Sequence, residues 1–405
     1  MGLRILFVNP IGELGGSERS LLDAMSSLLK TDAPLEVKLL LFADGELAER
    51  ARTIGVDVRV LPLPPALATL GESAKGSGAR ALAETALRAA LLTPRFAAAF
   101  RSTVRTLAPD VLHTNGMKAH LLAASCFRRR PLVAHLRDFA SERPLSRFAL
   151  PLLARPRALV VTNSGAVEAD ALGVSPRLRT RVVYNGIDME EFRPGPRALE
   201  PLATLAGLPV PAEHTLVVGL VATYAWWKGH RLFLDAAERI RERTQRTLRF
   251  YIVGGPIYGT TGSELSVDQL RALIREKGLE AHVGLVPFQR DVAPVYRGLD
   301  VIVHGSTRAE PFGRTIVEGM ATGRAVVVSR AGGAAELFHE GRSGLGYEPG
   351  NADDLVRALL ELSGDAELRA RLGEGARVEA VERFDRALLG RELLASYRAL
   401  LGGTA

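Results

Sequence analysis

Residues 301–336 read VIVHGSTRAEPFGRTIVEGMATGRAVVVSRAGGAAE. The apolar run ending at His304 predicts a strand. A polar loop carrying Glu310 follows, a helix is expected to start near residues 312–314, and residues 325–329 predict the next strand. A strand, a helix and a strand this close together form the crossover unit of a parallel sheet. The same alternation extends back through strands expected at 216–222, 248–253 and 283–286. A separate series occupies 4–9, 37–42, 58–61, 111–113, 132–135 and 158–162. In that series the turn Gly15-Gly16 precedes a helix with Leu21, Leu22, Met25, Leu28 and Leu29 on its apolar positions.

Two doubly wound α/β domains are therefore expected, consistent with 405 residues and 47% hydrophobic content, because single cores stop growing at roughly 250–300 residues. Residues 182–196, VVYNGIDMEEFRPGP, end the first series in a Pro/Gly-rich stretch and are the expected linker. The final helical stretch, about 378–401, carries Leu388, Leu389, Leu393, Leu394, Tyr397 and Leu401 at helical spacing, and should pack on existing layers. The expected division is 1–195 with 378–405, against 196–377. Residues 66–105, rich in Ala, Leu and Arg, read as a helical insertion. Ligands bind at the carboxyl ends of strands in such sheets, so a cleft between the domains is the expected site.

No apolar stretch approaches the roughly 20 residues of a membrane span, and MGLRILFVNP lacks the pattern of a signal peptide. A cytoplasmic protein is expected. The single cysteine, Cys126, cannot form an internal disulfide, and no Cys/His cluster has metal-ligand spacing, so neither metal nor cofactor is expected. The net charge of +7 is uneven: residues 1–195 hold 26 Lys and Arg against 19 Asp and Glu, whereas the remainder balances. An anionic partner on the first half, or simple solubility, accounts for this. Residues 75–105 carry +5 and residues 128–157 carry +6. Both interleave Arg with Leu, Ala and Phe, as a face touching anionic lipid would, and equally as a solvated face would. Nucleic acid is not expected, because these segments lack interleaved aromatic platforms.

Backbone amides at the helix start near Phe312, Gly313, Arg314 and Thr315 could receive phosphate oxygens, and carboxylates at Glu310 and Glu318 could accept from hydroxyl pairs. Two glutamates alone would also suit a capped helix with an acidic face. The fuller pattern resembles the donor site of the family-4 retaining glycosyltransferases. It comprises the spacing of Glu310 and Glu318, Pro311-Phe312-Gly313 between them, a following Gly-Met-Ala, and Gly332-Gly333 with Glu336.

The resemblance runs from Gly15-Gly16 to the last helix and implies a GT-B fold, two Rossmann-like domains facing a deep cleft, with the C-terminal helix crossing back to the first domain. It implies a retaining, metal-independent transfer of sugar from a nucleotide-sugar, UDP- or GDP-linked, to a glycan, lipid-linked or small-molecule acceptor. By the same resemblance Glu310 faces the transferred sugar, Glu318 binds the ribose, and Lys228 in the loop 221–229 offsets diphosphate charge. The family's arginine in that loop is Thr223 here, and Arg290 or Arg314 is the expected compensation. Gly15 and Gly16 match the turn facing the cleft. His113, a catalytic candidate, together with Asn115, His135 and Arg137, matches the acceptor side, although strand-end histidines also satisfy buried backbone groups. No general base is assigned. A non-catalytic sugar-nucleotide-binding protein, a sugar-nucleotide epimerase and a glycogen-synthase-like polymerase are the rival readings.

Overall fold

The expected alternation becomes two all-parallel sheets in a computed structural model that describes residues 2–68, 79–256 and 265–402, with the backbone alone for 66, 68 and 79–92. Residues 69–78 of the expected insertion, Lys75 among them, lie outside the described residues. The chain divides into two compact units, Met1–Gly186 with Arg386–Ala405, and Ile187–Asp385.

Unit 1 begins with β1 (Leu3–Asn9), α1 (Gly16–Leu29), β2 (Leu35–Leu41), α2 (Glu46–Thr53) and β3 (Asp57–Val60). Then come α3 (Pro65–Ala68), α4 (Ala79–Leu107), β4 (Val111–Asn115), α5 (Met117–Cys126) and β5 (Leu132–Leu136). The series closes with α6 (Ser146–Leu153), β6 (Ala158–Thr162), α7 (Gly165–Val174) and β7 (Thr180–Val182). Strand order is β3-β2-β1-β4-β5-β6-β7, so the winding reverses between β1 and β4. Alternate residues feed opposite layers, as strand geometry requires. Leu6 and Val8 join the core beneath α4–α7, whereas Ile5 and Phe7 join the core with Leu21, Met25 and Leu28 of α1.

Unit 2 runs α8 (Glu200–Ala206), β8 (Leu216–Val221), a 3-10 turn (Trp226–Lys228), α9 (His230–Arg241), β9 (Leu248–Gly254) and α10 (Val267–Glu276). It continues with β10 (Val283–Pro287), α11 (Ala293–Gly298), β11 (Val301–His304), α12 (Arg314–Ala321) and β12 (Ala325–Ser329). It ends with β13 (Leu345–Tyr347), α13 (Ala352–Gly364) and α14 (Ala366–Phe384). Its order, β10-β9-β8-β11-β12-β13, reverses between β8 and β11. The three-residue β13 is absent from the sequence reading, being too short to carry a period of its own.

The stretch expected as one terminal helix is broken at Asp385, which is extended, into α14 and α15 (Arg386–Leu401). Helix α15 belongs to unit 1: Leu389, Leu393 and Tyr397 are buried with Leu21, Met25 and Leu28 of α1. The two helices touch at Gly390, where a Cβ would stand 2.3 Å from Ser27 Oγ, so any larger residue would push them apart. Residues 187–195 fasten onto unit 2 rather than ending unit 1. Ile187 N donates to Phe384 O, and Arg377 donates to Phe192 O at 3.1 Å.

Candidate functional site

In unit 2, the segments leaving β8 and β11, the strands flanking the winding reversal, are laced together. Gly229, at φ +75°, makes this possible, because a Cβ there would stand 1.8 Å from Gly305 O. Thr307 N donates to Trp227 O at 2.8 Å, joining the two loops again. The chain from 305 to 313 is pinned on its other side, where Gly333 N donates to Glu310 O at 2.7 Å and Glu310 N to Ala331 O at 3.2 Å.

This frame sets the Glu310 carboxylate against Lys228, Nζ to Oε2 2.6 Å. Ser306 Oγ donates to the same oxygen at 2.8 Å, and His304 Nε2 lies 3.5 Å from it. Burial pushes the Glu310 carboxyl upward, but the Lys228 charge, helped by His304, outweighs it and holds the group well below its ordinary value. A lysine and a carboxylate locked together in this way are both charged and aimed at the carboxyl end of the sheet.

Among the described residues, three of the seven helices of unit 2 begin on a side-chain cap. Ser266, Asn351 and Asp365 each accept an amide at the starts of α10, α13 and α14. Helices α9 and α12 instead begin on left-handed glycines, Gly229 and Gly313, without a side-chain cap. The start of α12 therefore presents Arg314 and Thr315 with no side chain of its own folded over them. Phe312 is buried, its ring against Phe384 at 5.9 Å, so it offers backbone rather than ring. Glu318, one turn further in, is buried; its Oε2 accepts from Tyr296 OH at 2.8 Å and its Oε1 lies 3.4 Å from Arg314 Nε. Thr223, half-buried, bonds locally, its carbonyl accepting from Ala225 N.

Unit 1 gathers a different cluster at its own carboxyl ends. Asn115 Nδ2 donates to Asn9 Oδ1 at 2.7 Å and lies 3.2 Å from Ser17 Oγ. Arg137 donates through Nε to Asn115 Oδ1 at 2.8 Å, through Nη1 to Asn185 Oδ1, and through Nη2 to His135 Nδ1 at 3.2 Å. His113 Nε2 also lies 3.2 Å from His135 Nδ1, and its Nδ1 is 2.6 Å from Tyr397 OH.

These contacts fix the tautomers. Arginine only donates, so His135 Nδ1 is an acceptor and His113 Nε2 carries the proton given to it. His113 Nδ1 must then accept from Tyr397, and the proton of His135 sits on Nε2, which has no partner among the described residues. Burial, followed by the Arg137 charge, pushes both imidazoles well below their ordinary value. Both are neutral. Burial likewise raises Glu18, only partly offset by the amides of Glu18 itself and of Gly15. Gly15 caps α1, and Gly16 has open space where a side chain would be.

Comparison with known proteins now bears on these clusters. The model of "Glycosyltransferase Family 4" matches residues 14–191 and that of "Glycosyl transferases group 1" matches residues 210–379. The chain belongs to the family-4 glycosyltransferases. This family member is similar along 98% of its length to all of the Anabaena HepE chain crystallised with UDP-glucose, at 27% identity and a TM-score of 0.78. It is 32% identical over 252 residues to the D-inositol 3-phosphate glycosyltransferase of Mycobacterium tuberculosis and 30% over 247 residues to that of Corynebacterium urealyticum. Those alignments take in 61% and 60% of this chain and 49% and 56% of theirs, so the chain spans about half the length of the curated relatives it matches.

Within the family-4 chain, the structure brings together Lys228 with Glu310, and Arg314 with Glu318, in unit 2. It brings together His113, Asn115, His135 and Arg137 in unit 1. His113, expected at a substrate surface, is wholly enclosed with both ring nitrogens engaged. The sequence reading passed over Ser306, His304, Tyr296, Asn9, Asn185 and the Tyr397 hydroxyl. Asn9 and Asn185 stand at strand ends where polar residues interrupt apolar runs, a signal that was there to use.

Proposed function

We propose that this chain transfers a sugar from a nucleoside diphosphate sugar to a hydroxyl acceptor, with retention of anomeric configuration and without a metal. The observation that carries the reading is the Lys228–Glu310 pair beside the glycine-started helix α12. It occurs in a chain similar over nearly its full length to one crystallised with UDP-glucose. UDP is accordingly the first nucleotide to test.

Lys228 and the α12 start meet the negative charge that builds on the departing diphosphate, and stabilisation of that charge lowers the barrier most. Glu310 takes sugar hydroxyls on the oxygen not held by Lys228 and Ser306, and Glu318 takes the ribose. As the bond from the anomeric carbon to the diphosphate oxygen breaks, the acceptor oxygen bonds to that carbon and its proton passes to the departing diphosphate, which takes the electron pair of the broken bond. His113 is reassigned from a reacting group to a positioning one, because it holds the His135 tautomer. His135, Asn115 and Arg137 are retained as acceptor-side residues. The family placement favours transfer over the epimerase and non-catalytic readings.

No helix among the described residues is long and apolar enough to cross a membrane. A depression of about 830 Å³ in unit 1, lined by Arg128, Arg129, Arg130 and Arg157 with Phe127 and Leu401, supports peripheral contact with anionic lipid. Loss of binding to anionic vesicles in Arg128→Ala/Arg129→Ala is the expected result.

Calorimetric titration with UDP-, GDP-, ADP- and dTDP-sugars, with Glu318→Ala and Lys228→Ala as controls, tests the core reading. Selective binding of one donor, weakened in both variants, is expected. Binding of none would overturn it. Turnover undiminished by a chelator tests metal independence.

A further inference from the structure

The cations of the unit 2 site are not equal. Lys228 is matched by Glu310 at 2.6 Å, and Arg314 lies 3.4 Å from the Glu318 carboxylate. Both of these positive charges are therefore already matched by a carboxylate before any ligand arrives. A nucleoside diphosphate brings at least two negative charges, more than Lys228, already shared with Glu310, offsets alone.

Arg308 is different. It stands on the same loop as Glu310, two residues earlier, and is exposed. Its guanidinium lies over the Trp226 ring, Cζ 4.0 Å from the centroid, and no carboxylate among the described residues pairs with it. Trp226 opens the 3-10 turn that ends in Lys228, and its ring meets that of Trp227 edge-on at 5.8 Å. The hydrogen bond from Thr307 N to Trp227 O ties the arginine's loop to the tryptophan's. An indole face holds a guanidinium by charge–quadrupole attraction while leaving its N–H edge available for a bidentate anion.

We infer that Arg308, carried on the face of Trp226, is the second cation, beside Lys228, that takes up the diphosphate charge of the donor, in place of an arginine at Thr223. The inference rests on the donor-site reading above. It assigns the compensating role to neither Arg314, which is committed to Glu318, nor Arg290 on the loop after β10. Trp226 is a positioning residue: it restricts the arginine's rotamers, so less freedom is lost when the diphosphate binds.

The test is calorimetric titration of the whole chain with UDP and with UMP, which differ by one phosphate. The wild-type protein should bind UDP about tenfold more tightly than UMP, and Arg308→Ala should shrink that gap to about twofold by weakening UDP alone. Unchanged UMP binding shows that the variant is folded. Arg308→Lys, which keeps the charge but loses the fork and the stacking, should leave an intermediate gap. Trp226→Ala should weaken UDP about threefold without affecting UMP. A tenfold gap that survives Arg308→Ala, or an equal loss for both nucleotides, overturns the inference and leaves the donor site standing. A full gap in Trp226→Ala overturns the positioning role of the indole. Failure of the wild-type protein to bind either nucleotide sinks the donor-site reading itself.

Discussion

Replacing Lys228 with methionine keeps the aliphatic stem and deletes the charge 2.6 Å from Glu310 Oε2. In the native protein that charge outweighs the burial that would otherwise raise the carboxyl. Removing one partner of a buried pair costs about 3–5 kcal/mol. These side chains keep 23% and 15% of their surface in water, which screens part of that loss. About 2 kcal/mol is therefore expected at pH 7, a fall in Tm of about 4–8 °C for a unit of this size.

The pH dependence is the sharper reading. A carboxylate with a depressed pKa stabilises the fold above its unfolded value, near 4.5, and that stability is lost as pH falls through the folded value. In Lys228→Met burial dominates, the pKa rises, and Glu310 favours the fold only while protonated. The gap in Tm between native protein and variant should thus widen from pH 4 to pH 7 in thermal unfolding followed by circular dichroism. A gap that is constant with pH, or wider in acid, would refute the argument.

Tyr397→Phe removes the donor to His113 Nδ1 and strands a buried acceptor, so unit 1 should lose about 1–2 kcal/mol in denaturant titration; a neutral result would mean the ring is held by something else. Burial lowers His113 and His135 below the ordinary 6.5, so the stability they contribute is present above that value and lost as pH falls. Their imidazole NMR signals should remain those of neutral rings at pH 6. Gly229→Ala must relieve a 1.8 Å approach to Gly305 O at a positive φ, and should destabilise unit 2 by more than about 2 kcal/mol, read as a lower denaturation midpoint.

The parallel sheets and the donor-side glutamates were legible because each depends on residues close in sequence. The alternation of short apolar strands with helices needs only a local window, and Glu310 and Glu318 share one loop and helix. The unit 1 cluster was only half legible. Asn9, Asn115, Arg137 and Asn185 meet because four strand ends converge, and Tyr397 reaches His113 across 284 positions of sequence. Tyr397 read as one more apolar position of a terminal helix, since periodicity reports burial and is silent on what a buried hydroxyl touches. Arg308 and Trp226 were invisible for a similar reason: neither fits a family motif, and their stacking depends on a contact between loops 82 residues apart.

The docking of α15 against α1 has a consequence during synthesis. The core of Leu21, Met25 and Leu28 of α1 with Ile5 and Phe7 is begun first, but it is completed by Leu389, Leu393 and Tyr397, made last. At ribosomal speeds the intervening residues 187–385 take roughly 10–40 s to appear. For all of that time the nascent N-terminal half is without its cover, while unit 2, contiguous in the chain, already has every residue it needs to close its own core. The second unit is therefore the first able to finish, and the interval before α15 emerges is when a chaperone holding the α1 face would matter to yield.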